Sequence, residues 1–288
     1  MIIQYYNPEG HKKLFESCSK VPVSVIVPCF CCRKTIKRTI SSILNQSLLP
    51  RELILVEDAS PDNGETLEEL HSLKGQIYDK IETHIVELKE NGGPSVARNI
   101  GWDKATQPYI AFLDSDDTWH PRKIEIQYGF MKSVRDVMIT THQTANFKEA
   151  MQLEKITKEI TIGELRKYEL LLSNRISTSS VMCRRDLNFR FNPQKRFSED
   201  YDLWLRIICQ GIKIFIIEYP LRFVHRDYYF SGGLSSRLVE MEKGELDNLR
   251  GLYKNRCLSL GEFLIFTAIS EIKFLRRYFY DILRRKIA

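Results

Sequence analysis

Residues Tyr109 to Asp117 read YIAFLDSDD: a mostly apolar run leads directly into three carboxylates, Asp114, Asp116 and Asp117. A buried strand that delivers several acids to its C-terminal end is costly. Like charges at close range raise one another's pKa unless a cation sits between them. A divalent ion relieves the repulsion, and oxygen-only ligands favour magnesium or manganese. Such an ion points to a phosphate-bearing substrate. Two plainer readings compete with it. An Asp-rich surface turn produces the same letters. A calcium loop would use Asp114, Asp116 and Glu125 as its first, third and twelfth positions. That loop needs Gly at position six, where Trp119 stands, and a helix before it rather than a strand.

The elements that must position these acids can be traced in the pattern. Val21 to Pro28 (VPVSVIVP) has the near-continuous apolarity of a strand covered on both faces. Helical spacing follows over Thr35 to Asn45, then a strand at Glu52 to Glu57, a turn-rich stretch from Asp58, and a helix over Thr66 to Leu73. A strand near His84 to Leu88, the breaker Asn91-Gly-Gly-Pro and a helix over Ser95 to Ala105 lead to the carboxylate strand. This alternation predicts a mainly parallel α/β sheet whose ligands bind at the C-terminal strand ends. Pro28 to Cys31, Glu57 to Asp62 and Asp114 to Asp117 then converge on one crevice.

The second half is less regular. Its pattern predicts helices over Pro121 to Arg135 and Thr161 to Leu172, and strands at Val137 to Thr141, Ser179 to Cys183 and Lys213 to Glu218. Ser198 to Gln210 (SEDYDLWLRIICQ) is its clearest helix, with Ser198 as cap, acids in the first turn and Gly211 as the stop.

Composition narrows the class. The chain has 288 residues, 43% hydrophobic and 28% charged, as in ordinary globular proteins. The formal net charge is +6, and the segment from Glu271 onward holds six Lys or Arg against two acids. Basicity confined to the tail argues against a nucleic-acid-binding core. No apolar run reaches the length of a membrane span, and the N-terminus lacks the order of a signal peptide. Seven cysteines, mostly in apolar segments, suit a reducing compartment and free thiols. Cys29, Cys31 and Cys32 lie close together but lack a second Cys/His pair to complete a zinc site. A cytoplasmic protein is expected.

Six collinear segments carry a resemblance: VSVIVPCF (Val23 to Phe30), SILNQ (Ser42 to Gln46), VEDASPD (Val56 to Asp62), NGGPSVARNIG (Asn91 to Gly101), FLDSDDTWHPRKIEIQ (Phe112 to Gln127) and SEDYDLWLRI (Ser198 to Ile207). Together they resemble the inverting nucleotide-sugar glycosyltransferases of family two, bacterial surface-polysaccharide type, with their GT-A fold. The likeness runs over about 21–235, with a nucleotide-binding half at 21–120 and an acceptor half at 121–235. Residues 1–20 form an extension and 236–288 a helical, basic amphipathic region. The chain departs from the family at Cys31, where Asn is usual, and at Glu57-Asp58, where two Asp are usual.

The resemblance implies roles. Asp117 and Asp116 hold Mn2+ or Mg2+, Asp116 also serving the donor's ribose or phosphate, and His225 is a candidate third ligand. Asp114 is a supporting acid or a turn cap. Asp58 accepts from the nucleotide base, with Pro28 and Phe30 as the adjoining wall, although Phe30 could equally be core. Arg98 reaches the nucleotide or its phosphates. Asp200 is the catalytic base, kept ionised by the helix dipole, and Glu199 orients it or the acceptor. Trp204 stacks on a sugar or belongs to the core. The loop Tyr228 to Gly233 could close over the donor.

The implied reaction moves a sugar from a nucleotide-sugar donor, a UDP-sugar, to a glycan or lipid-linked acceptor. Ile265, Ala268, Ile272, Leu275, Phe279 and Ile282 form one apolar stripe on the C-terminal helix, with Lys273, Arg277 and Arg284 opposite. That stripe predicts peripheral contact with the cytoplasmic face of the inner membrane, or packing on the domain. A sugar nucleotidyltransferase and a membrane-associated scaffold without enzymatic activity are the alternatives. The first usually carries a Gly-rich phosphate loop, which Pro28 to Lys34 lacks; the second has no need of Asp116, Asp117 and Asp200 together.

Overall fold

The computed structural model describes residues 3–6, 19–147, 160–225 and 237–287. The first half runs β1 (Ile3–Tyr6), β2 (Lys20–Cys29), α1 (Ile36–Leu44), β3 (Leu49–Glu57), α2 (Glu65–Ile77), β4 (Glu82–Glu87), α3 (Gly93–Lys104), β5 (Tyr109–Phe112) and β6 (Thr118–Trp119). There follow α4 (Lys123–Ser133), β7 (Ile139–Asn146), β8 (Ile160–Leu165), α5 (Lys167–Leu172) and a 3-10 turn at Thr178–Ser180. The chain continues through β9 (Met182–Arg184), α6 (Glu199–Cys209), β10 (Ile214–Val224), α7 (Leu238–Lys254) and α8 (Leu260–Ile287).

One sheet orders the strands β1-β8-β10-β7-β9-β5-β2-β3-β4, with β6 added against β10. β4, β3, β2 and β5 are mutually parallel, as the alternating strands and helices require. β9 runs antiparallel between β5 and β7, and β7 pairs in parallel with β10. Helices cover both faces. Val23, Val25 and Val27 of β2 enter one buried cluster while Ile26 enters the other, so this strand is covered on both faces, with the buried Ser24 hydrogen-bonded to Glu52. Gly101 lets α3 lie close to β2: a Cβ there would meet Ile26 Cγ2 at 2.4 Å. At that distance even one methyl group forces the helix off the sheet.

Three expectations are corrected. The segment expected as one helix over Thr161 to Leu172 is a strand, β8, followed by the short α5. Ile160, Ile162 and Leu165 are buried, and β8 satisfies the free edge of β10, a tertiary demand invisible in local spacing. Ser198 does not cap α6 with its side chain; it sits at φ 54° and its hydroxyl donates to Met241 O at 3.3 Å. Gly211, at φ 78°, follows the end of α6 as expected. Of the two readings left open for Trp204, the core is the one observed: it is fully buried. Cys209 and Cys257 are joined in a disulfide, Cα to Cα 5.8 Å, against the expectation of free thiols throughout.

α8 shows how the tail is used. Phe266 and Ser270 face the domain and are buried, and Arg277 pairs with Glu242 on α7 at 3.3 Å. Ile265, Ile272, Leu275 and Phe279 point the other way, and Ile272 is 66% exposed. The stripe is therefore not core. No helix among the described residues is long and apolar enough to cross a membrane.

Candidate active site

The acids are delivered by β5 and held by its neighbours. Leu113 N donates to Ile26 O at 3.0 Å, and Asp114 N donates to Ser179 Oγ at 2.9 Å. The chain then turns, with Asp117 N donating to Asp114 O at 3.1 Å. α1 grips the turn by its carbonyls: Thr39 Oγ1 donates to Ser115 O and Asp117 O, and Arg38 to Asp116 O at 2.8 Å. The carboxylates are thus aimed by backbone contacts.

They face a cavity of about 730 Å³ that also takes in Asp200, Asn174 and Arg222. The C-terminal end of β5 and the first turn of α6 meet across one cleft, whereas Pro28 to Cys31 and Glu57 to Asp62, expected on the same crevice, do not line it. Asp114 is engaged by Arg98 at 2.8 Å. Burial alone would raise the Asp114 pKa, but Arg98 and then Arg222 outweigh it and hold the carboxyl below its ordinary range. Asp117 is 2% exposed. Its Oδ2 accepts from Arg222 Nε at 2.6 Å and lies 2.5 Å from Arg222 Nη2. Burial nevertheless pushes Asp117 up to about 6, with Asp114 and Asp116 adding to the shift against the pull of Arg222.

Asp200 opens α6. Its Oδ1 accepts from Tyr201 N at 2.7 Å and its Oδ2 from Asn174 Nδ2 at 3.4 Å. Burial, then the neighbouring Glu199 charge, raises Asp200 to about 7 against the opposing effect of Arg98. The dipole at this helix start does not keep the acid at an ordinary carboxylate pKa, because desolvation outweighs it. A carboxylate tuned near neutrality is suited to accept a proton from a hydroxyl.

Arg98 is paired with two acids. Its Nη1 donates to Glu199 Oε1 at 2.9 Å while Nη2 holds Asp114, and its side chain is 8% exposed. The guanidinium binds two acids through its terminal nitrogens, while its Nε is buried without a hydrogen-bond partner.

The residues expected at the base site, Pro28, Phe30 and Asp58, lie outside the lining of this cavity. Pro28 lies near the C-terminal end of β2, and Phe30 beyond it is 46% exposed and so not core. Asp58 is buried and committed to the Asn-Gly-Gly loop: Gly92 N donates to Oδ1 at 2.7 Å, while Gly93 N at 2.9 Å and Asn91 Nδ2 at 3.0 Å donate to Oδ2. Burial raises its pKa despite these donors. Glu57 accepts from Ala59 N and Ser60 N at 3.0 and 2.7 Å, so Glu can replace the usual Asp as a turn-former.

His225 does not join the acids. Its Nε2 is bonded to Thr118 Oγ1 at 2.7 Å and its ring stacks on Phe147. Burial and Arg38 lower its pKa. Among the described residues no group of three or more His, Cys, Asp or Glu is placed to hold an ion. Asp116 and Asp117 both line the cavity, two carboxylates at one wall. Such a set fits Mg2+ or Mn2+, which take one or two protein carboxylates and fill the remaining positions from phosphate and water. The loop Tyr228 to Gly233 lies outside the described residues.

Arg222 and Asn174 are site residues that motif reading does not reach. Arg222 sits between the buried Leu221 and Phe223 on β10, beyond the strand expected over Lys213 to Glu218. Its partner, Asp117, lies 105 positions away and has no local signature.

A GT-A sheet with acids at the end of β5 and an acid opening α6 defines a glycosyl-transferring enzyme class. Residues 24–191 match the family description Glycosyl transferase family 2. TuaG of Bacillus subtilis (strain 168), a glycosyltransferase provisionally assigned to teichuronic acid biosynthesis, is 34% identical over 193 residues, 66% of this chain and 73% of TuaG. WfaP of Escherichia coli, a UDP-Glc:alpha-D-GlcNAc-diphosphoundecaprenol beta-1,3-glucosyltransferase, is 30% identical over 201 residues, 66% of this chain and 72% of WfaP. The S. aureus TarS structure in complex with UDP-GlcNAc shares the fold, with a TM-score of 0.63 at 17% identity over 90% of this chain and 72% of that one. The chain belongs to glycosyltransferase family 2.

Proposed function

We propose that this protein transfers a sugar from a UDP-sugar to a hydroxyl of a glycan or lipid-linked acceptor, with inversion, during synthesis of a cell-surface polysaccharide. The observation that carries the reading is Asp200, a carboxylate at about 7 that shares one cavity with Asp114, Asp116 and Asp117. WfaP, by its name, uses a UDP-sugar and a lipid diphosphate acceptor.

In this reading the acceptor O–H gives its proton to Asp200 while its oxygen attacks the anomeric carbon from the face opposite the leaving group. The bond from that carbon to the diphosphate oxygen breaks, and the nucleoside diphosphate departs with the electron pair. Asp116 and Asp117 would hold Mn2+ or Mg2+, which neutralises charge on the departing diphosphate. Arg222, already against Asp117, adds a fixed positive charge at the same wall. Glu199 positions the start of α6 through Arg98. Pro28, Phe30 and Asp58 form the base side, with Asp58 acting mainly by shaping the Asn91 to Gly93 loop.

The outward apolar face of α8 supports attachment at the cytoplasmic face of the inner membrane, where a lipid-linked acceptor would be met. Domain limits of 21–235 for the transferase and 236–288 for the attachment region accord with this division of labour. A screen of UDP-sugars for Mn2+-dependent UDP release, with Asp117→Asn as control, tests the reading. Release by the wild type and its loss in the variant are expected; full activity in Asp117→Asn contradicts the metal assignment.

A further inference from the structure

Behind Asn174 lies a second cavity of about 300 Å³, between α5, α6, α7 and α8. Asn174 borders both spaces. Its amide touches Asp200 on the reaction side, and it lines the second cavity together with Tyr201. The second cavity is electropositive: Lys273, Arg276 and Arg277 of α8 face one carboxylate, Glu245.

Those cations are incompletely used. Arg277 Nη2 lies 3.3 Å from Glu242 Oε2 and 3.7 Å from Glu245 Oε1, but its Nε is buried with no hydrogen-bond partner. A buried donor without a partner is costly, so such a group is a candidate ligand contact. Lys273 and Arg276 have no ion-pair partner among the described residues. The opposite face of the same helix is the exposed apolar stripe of Ile265, Ile272, Leu275 and Phe279.

We propose that this cleft seats a phosphate or diphosphate group of the acceptor. An acceptor sugar presenting its hydroxyl to Asp200 would carry its phosphate ester past Asn174 to Lys273, Arg276 and the Arg277 Nε. Forked guanidinium donors and an ammonium group match phosphate oxygens. The inference rests on Asp200 as the acceptor-side base. Its substrate class is an acceptor phosphorylated next to the sugar that is extended, either a lipid diphosphate or a phosphate-linked polymer.

Calorimetry on the full chain tests it. With UDP saturating, and Mg2+ in excess of UDP and titrant so that the donor site is filled, inorganic pyrophosphate is titrated into the wild type and the Lys273→Gln/Arg276→Gln variant. The charge-preserving Lys273→Arg/Arg276→Lys variant is the control. The wild type is expected to bind, the Gln variant at least about tenfold more weakly, and the control nearly as well as the wild type. UDP affinity and melting temperature should be the same in all three. Equal pyrophosphate binding by the Gln variant, or none by a UDP-loaded wild type, overturns the proposal. A wild type that binds no UDP overturns the donor reading and the inference with it. Farnesyl diphosphate binding more tightly than pyrophosphate supports the cleft with a lipid source. Inorganic phosphate binding as tightly as pyrophosphate supports it with a polymer source.

Discussion

Arg98 and Glu199, 101 positions apart in the chain, meet at 2.9 Å and tie α3 to the first turn of α6. The same guanidinium holds Asp114 at 2.8 Å, so one buried cation fixes the carboxylate turn and the helix that presents Asp200. The cleft's two walls share a single pin.

Replacing that pin should be severe. Arg98→Gln leaves Asp114 and Glu199 without their buried counter-charge, a loss of about 3–5 kcal/mol by analogy with broken buried pairs. Arg98 also lowers the Asp200 pKa, so its removal should shift the acidic limb of the rate profile to higher pH. Denaturant melts and kcat against pH would measure the two effects. An unchanged midpoint together with an unchanged limb would rule out the pin.

Asp200 itself links activity to stability with opposite signs. Its folded pKa of about 7 lies above the ordinary 3.8, so the folded state holds this proton more tightly than the unfolded chain. Its contribution is greatest at acidic pH and declines as pH rises from about 4 to about 7. Asp200→Asn mimics the protonated acid and should be more stable than wild type at pH 8, by on the order of 2 kcal/mol. The difference should vanish near pH 4. Melting temperatures at the two pH values would show this.

Arg222→Gln tests the wall opposite. Arg222 restrains the Asp117 pKa, which stands at about 6 even with that help. Without it Asp117 should be largely protonated at neutral pH and serve metal and donor poorly. UDP release should fall about tenfold or more at pH 7 and recover in part near pH 8.5. A loss of equal size at both pH values would place the role of Arg222 elsewhere.

Much of this arrangement is legible in the sequence, and its exceptions have a common cause. The ends of β2, β3 and β5 were legible because parallel strands announce themselves by unbroken apolarity and finish at turns rich in Asp, Gly and Pro. The position of Asp200 at the start of a strongly patterned helix was legible, while its role was implied only by the family resemblance. The fates of Arg98, His225 and Ser198 were not, because each is settled by a partner distant in sequence: Glu199, Thr118 and Met241. β8 failed for a related reason. ITIGEL suits a strand only when β10 and β1 lie alongside. The stripe on α8 was legible as amphipathic, while its outward direction was decided by Phe266, Ser270 and Arg277 meeting the domain.

That direction yields a membrane prediction. Ile272 and Phe279 are 66% and 61% exposed, so Ile272→Glu/Phe279→Glu should not disturb packing. Binding to anionic vesicles should drop at least about tenfold while the melting temperature stays within a degree or two. Undiminished co-sedimentation of the variant would exclude this face as the lipid contact.

The transferase account stands or falls on the proton acceptor in the cleft. With a UDP-sugar found to support turnover, Asp200→Asn should bind UDP within about twofold of wild type by calorimetry, yet lose roughly 10²–10⁴ in kcat. Turnover near the wild-type rate in that variant, with UDP bound normally, would show that another group takes the acceptor's proton.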